Sequence, residues 1–76
     1  MLTDTEKAVL DFEGQHWRHA GTKEAAIRVT FGVSPTRYYQ RLAALTDRAE
    51  AAAYAPAVVR RVRATTRMRV TERTHA

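Results

Sequence analysis

An all-α domain of about four to five helices, containing a helix-turn-helix and ending in a basic helix, is the fold this sequence predicts. Three observations carry it. No stretch of the 76 residues alternates as a strand does, and apolar residues recur at helical spacing throughout. Helix starts are marked by Thr3 with Glu6 and by Ser34 with Pro35. Gly32 sits between two helical segments and leaves about three residues for the turn that joins them.

The first helix starts at Thr3, where Glu6 completes a capping box, and is expected to run to about His19 or Ala20, before Gly21. Leu2, Val9, Leu10, Phe12, His16, Trp17 and Ala20 share one arc of it, which puts His16 in packing contact with Val9 and Phe12. Glu13 falls near the middle of that arc. It either finds a partner there, such as Arg37 or a tyrosine hydroxyl, or reaches the rim and meets water. Gly14 weakens this helix by about 1 kcal/mol relative to Ala, and can allow a close helix contact. A second helix is expected from a Thr22 cap to Phe31, with Ala26, Ile27, Thr30 and Phe31 inward and Gly32 as a left-handed end. The third runs from Pro35 to about Leu45 behind the Ser34 cap. Asp47, with Glu50, is expected to cap a short fourth helix that Pro56 ends. In the fifth, Val58, Val59, Val62 and Thr66 make a narrow apolar stripe opposite Arg60, Arg63 and Arg67. The stripe is lost at Arg69, so the helix should fray by about Thr71. Residues 1–66 are thus expected to form the domain and 67–76 a basic tail.

Net charge is +5, and its placement is informative. Residues 1–55 balance Lys7, Arg18, Lys23, Arg28, Arg37, Arg41 and Arg48 against Asp4, Glu6, Asp11, Glu13, Glu24, Asp47 and Glu50. The excess comes from six arginines in residues 56–76, against Glu72 alone. An excess so concentrated suits a polyanionic partner. The chain has no cysteine, so neither disulfides nor thiolate metal sites support it. No apolar run approaches the roughly 18 residues of a membrane span, and the N-terminus lacks the pattern of a signal peptide. A cytoplasmic setting is expected.

The third helix divides into two faces. Tyr38, Leu42 and Leu45 lie on one, with Tyr39 at its edge; Thr36, Arg37, Gln40 and Ala44 lie opposite. In a major groove, Gln40 would pair with adenine, Thr36 would meet a thymine methyl, and Arg37 would take guanine or phosphate. Ser34 and the helix N-terminus would hold a phosphate, and Arg60, Arg63 and Arg67 would follow the backbone.

The stretch FGVSPTRYYQRL, residues 31–42, resembles the turn and recognition helix of tetracycline-repressor-like regulators. Those carry an aromatic pair six and seven residues after the turn Gly and a large apolar residue ten after it, here Tyr38, Tyr39 and Leu42. By that resemblance Tyr39 and Arg37 touch phosphates, while Thr36 and Gln40 face the groove. Those regulators usually place a small residue four before the Gly, where this chain has Arg28, and no part of these 76 residues is expected to match their ligand-binding domain. Over about residues 8–63 the chain also resembles a family of small actinobacterial proteins catalogued as a domain of unknown function. The resemblance rests on VLDFE, HWRHAGTKEAAIR, FGVSPTRYYQRLAAL and VVRRVR. At least one member of that family has been treated as nucleoid-associated, which implies a chromosomal location.

These features predict a DNA-binding protein, a small regulator or nucleoid-associated factor, with Ser34, Thr36, Arg37, Tyr39, Gln40, Arg41, Arg60, Arg63 and Arg67 at the interface. The alternative is a module that docks on the transcription machinery through the same face. Membrane binding is not expected, because the stripe of the last helix lacks Leu, Phe and Trp. No nucleophile–base pair or phosphate loop points to an enzyme or a cofactor. His16 and His19 lack a third metal ligand at matching spacing. Val58, Val59 and Val62 can either pair two copies into a homodimer or complete the core of one.

Overall fold

A computed structural model describes residues 1–75, with side chains described through Thr65. It holds α1 (Asp4–Glu13), α2 (Ala20–Phe31), α3 (Pro35–Thr46), α4 (Ala49–Tyr54) and α5 (Pro56–His75). There is no strand among the described residues. Helix α5 is continuous to His75, past Thr71 where fraying was expected; the expected loss of the apolar stripe falls on residues 66–76, whose side chains lie outside the described residues.

Helix α3 is the hub: it packs against α1, α2, α4 and α5. Tyr38, Leu42 and Leu45 are buried on it as expected. Around them gather Leu2, Val9, Leu10 and Phe12 from the start of the chain, Ile27 from α2, Ala51 from α4 and Val59 from α5. Burying these side chains is the main favourable term in so small a domain. The Phe12 ring is central, 5.7 Å edge-on from Tyr38 and 5.4 Å from Phe31. Val58 and Val62 are half-buried beside Val59. The valine stripe of α5 therefore completes the monomer core, the second of its two expected uses.

The Thr3 capping box forms in full. Glu6 donates its backbone N–H to Thr3 Oγ1 at 3.1 Å, and Thr3 N–H donates to Glu6 Oε1 at 2.7 Å. The end of α1 departs from expectation: it stops at Glu13, and Gly14 is its C-cap. The low helix propensity of Gly makes this the weak point, and Trp17 exploits it. The chain turns back so that Trp17 Nε1 donates to Phe12 O at 3.1 Å, with the two rings 4.8 Å apart. A loop therefore replaces the last turns predicted for α1. His16 is exposed in that loop rather than packed on Val9 and Phe12. A Cβ at Gly14 would meet Val58 Cγ2 at 3.6 Å, ordinary contact, so space does not demand Gly there.

Two further starts differ from expectation. Helix α2 begins at Ala20 behind His19, with no side-chain cap, and Thr22 lies inside it. On its inner face Ile27 is fully buried and Ala26 and Phe31 partly so, but Thr30 is exposed. Asp47 ends α3 instead of opening α4, because the last turn of α3 tightens: Asp47 N–H reaches Ala44 O at 3.3 Å and Thr46 Oγ1 donates to Ala43 O at 2.8 Å. Arg48 becomes the N-cap of α4.

Arg48 then joins the starts of α1 and α4. Its guanidinium donates to Glu6 and, at 2.7 Å, to Glu50 Oε2. Arg48, followed by the chain's amino group, holds the Glu50 carboxyl down to about 2. The Thr3 backbone N–H is the main cause holding Glu6 below the ordinary carboxylate value. Both groups bind protons less readily folded than unfolded. Their contribution is therefore present above the ordinary value of 4.5 and is lost as pH falls toward about 2. Both are solvent-screened, so the loss should be shallow. Melting temperature followed by circular dichroism should fall over this acid window, and Arg48→Ala should flatten the fall.

Candidate nucleic-acid interface

The turn between α2 and α3 follows from three residues. Gly32 is left-handed, with φ of 68°, a conformation Gly adopts without the Cβ penalty, and its N–H closes α2 on Arg28 O at 3.0 Å. Ser34 is extended, and its Oγ accepts from Arg37 N–H at 3.2 Å. Pro35 occupies the first helical position, where its missing N–H costs nothing. The result is two helices joined by residues 32–34, with the second docked through one face.

The opposite face is open. Thr36, Arg37, Gln40, Arg41 and Ala44 are exposed. Among the described residues, no salt bridge engages Arg37 or Arg41, so both guanidinium groups face water. Ser34 is exposed, with its hydroxyl committed to the cap. Tyr39 is half-buried. Its ring lies 5.1 Å from Tyr38, and Lys23 Nζ sits 5.2 Å from the ring centroid. On α5, Arg60 and Arg63 are exposed; Arg67 lies outside the residues with described side chains. Arg28 is also exposed, so the helix-turn-helix accommodates a large residue at that position without crowding.

Behind this face lies a charged cluster that anchors it. Glu13, only 5% exposed, accepts from Tyr38 Oη at 2.8 Å and pairs with Lys23 Nζ at 2.6 Å. Arg61 approaches from α5: it donates to the Glu13 backbone carbonyl and stands 3.8 Å from Oε2. Burial, and then the bond to Glu13, raise the Tyr38 hydroxyl well above the ordinary tyrosine value, so it is a fixed donor. A tyrosine hydroxyl was one of the partners expected for Glu13; Arg37 is not among the partners it has. Lys23 and Arg61 were missed, because each lies on another helix and only the position of Glu13 on a buried arc signalled the need for a cation.

Beside Arg41 runs a groove of about 430 Å³ between α1, the turn and α3. Val9, Phe31, Val33, Ala44 and Leu45 form its walls, with Arg41 and Arg48 among its lining residues. No three acidic or histidine side chains are grouped to hold a metal ion among the described residues. No described helix is long and apolar enough to cross a membrane.

One family model, described as a protein of unknown function (DUF3263), matches residues 1–74. No curated protein and no solved structure matches the chain.

Proposed function

Since the chain belongs to that family, whose description assigns no activity, we propose from its surface that it binds double-stranded DNA through α3 and α5. The observation that carries this is the exposed row of Thr36, Arg37, Gln40 and Arg41, without ion-pair partners among the described residues, on a helix whose other face is locked into the core. Such a helix presents side chains to a groove without disturbing the domain. Gln40 and Thr36 would meet base edges, and Arg37 a guanine or a phosphate. Ser34, the start of α3, Tyr39, Arg41, Arg60, Arg63 and Arg67 would lie along the backbone. The likeness of residues 31–42 to tetracycline-repressor-like regulators supports the same assignment, and the likeness to small actinobacterial proteins supports a place on the nucleoid. The role is one of binding, without catalysis or cofactor, either as a regulator or as an architectural factor. One copy would cover a single half-site, so two copies per site would raise both affinity and selectivity.

Fluorescence anisotropy with a mixed-sequence duplex tests this. Log affinity should fall with log salt with the slope of about three to six phosphate contacts, at roughly −0.9 each. Replacing Arg60 and Arg63 by Ala should reduce that slope by about two contacts.

A second reading is favoured by the groove beside Arg41, whose apolar walls and that one arginine suit a partner helix with one apolar and one acidic face. Docking on the transcription machinery would use it. A stoichiometric protein partner that survives nuclease treatment would support this reading; one lost on nuclease treatment would count against it.

A further inference from the structure

We propose that Glu13 is a positioning residue that fixes the basic helix α5 relative to the helix-turn-helix, so that the two arginine-bearing surfaces meet DNA as one rigid unit. The inference rests on the DNA-binding role for its consequence, though not for its geometry.

Helices α1, α2, α3 and α5 meet at Glu13. Glu13 is the last residue of α1. Its Oε1 takes the Tyr38 hydroxyl of α3 at 2.8 Å and the Lys23 ammonium of α2 at 2.6 Å. Its backbone carbonyl takes the Arg61 guanidinium of α5, which also lies 3.8 Å from Oε2. That carbonyl is one of those a helix end leaves without an internal partner, so Arg61 fills a real vacancy. Arg61 is itself half-exposed: its stem leaves α5 and its head reaches inward.

A buried ion pair is a poor source of stability, because desolvation offsets most of the attraction. An apolar side chain of similar volume would serve the core as well. What Glu13 adds is direction: its bonds to Tyr38 and Lys23 through the carboxylate, and to Arg61 through the carbonyl, define angles that apolar contact leaves loose. This matters for α5, whose apolar contact is a narrow valine stripe of Val58, Val59 and Val62. Such a stripe lets a helix rock about its own axis. Arg61 lies between Arg60 and Val62, and next but one to Arg63, so tying it to Glu13 sets the direction in which Arg60 and Arg63 project. Through Tyr38 and Lys23 the same carboxylate holds both helices of the helix-turn-helix.

The chain has no cysteine, so spin labels can be placed at will. Ala43→Cys on α3 and Ala64→Cys on α5, both exposed positions, give a label pair that reports the relative placement of the two helices without DNA. Dipolar spectroscopy should show one narrow distance distribution. Glu13→Gln keeps the shape, a hydrogen-bond partner for Tyr38 and the backbone carbonyl that Arg61 bonds, and loses only the charge that faces Lys23 and, at 3.8 Å, Arg61. It should broaden the distribution while circular dichroism still reports a folded helical protein. Arg61→Met cuts the α5 link to carbonyl and carboxylate alike and should broaden it most, which keeps the test open if Glu13→Gln does not fold. In both variants the salt slope of DNA binding should fall toward that of the Arg60→Ala, Arg63→Ala protein. An unchanged distance distribution in a folded Arg61→Met protein would overturn the coupling and leave the DNA-binding role standing. Absence of DNA binding by the parent chain would remove that role while the distances still judged the coupling.

Discussion

Tyr38→Ala is expected to cost about 3–5 kcal/mol, against about 1–3 kcal/mol for Tyr38→Phe. A domain of this length commands a total of about 4–11 kcal/mol, so the alanine variant should lose a large share of its stability. The reason is the double role of the side chain. Its ring is 1% exposed and touches Phe12, Phe31 and Tyr39. Removing it leaves a cavity on the helix that all the others pack against. Removing the hydroxyl alone leaves Glu13 its Lys23 and Arg61 partners, so the phenylalanine variant should stay folded. Urea unfolding of both proteins measures the gap. Equal losses for the two would mean that the hydrogen bond, rather than the ring, organises this region.

The second large effect concerns selectivity. Once a preferred DNA sequence is chosen from a random pool, replacing both Arg37 and Gln40 by Ala should abolish the preference. A good bidentate contact discriminates by about 1–3 kcal/mol, or about 5- to 150-fold per position. The two losses should separate by salt. Gln40→Ala removes no charge and should leave the salt slope unchanged, whereas Arg37→Ala should lower it by about one contact if Arg37 holds phosphate. Both residues are exposed, so melting temperatures should barely move. An unchanged preference in the double variant would remove α3 from the reading of bases.

How much of this was legible depended on the range of the signals. The Thr3–Glu6 box, the left-handed Gly32, the Ser34 cap and the buried set Tyr38, Leu42 and Leu45 are written within a few residues of one another. All of them appear as expected. The two faces of α3 follow from the same short-range periodicity. What escaped depends on distant partners. Gly14 was a mild local penalty until Trp17, folding back onto Phe12, made it an end. Asp47 and Glu50 resemble a cap, yet Arg48, bound to Glu6 from the other end of the chain, takes that position. Arg61 looks like one more basic side chain among several, but the Glu13 carbonyl claims it. The same three-to-four spacing that grouped Arg60, Arg63 and Arg67 left Arg61 aside without saying why.

The most direct test of the central claim is the map of amide shifts when an unlabelled duplex is added to ¹⁵N-labelled protein. Binding through the proposed surface should move residues 34–41 and 60–63 most, leave Ile27 and Leu10 nearly still, and weaken with added salt. Shifts confined to the groove of Val9, Val33 and Leu45, or no shifts at low salt, would contradict a DNA-binding role for the α3 face and leave the protein-docking reading in its place.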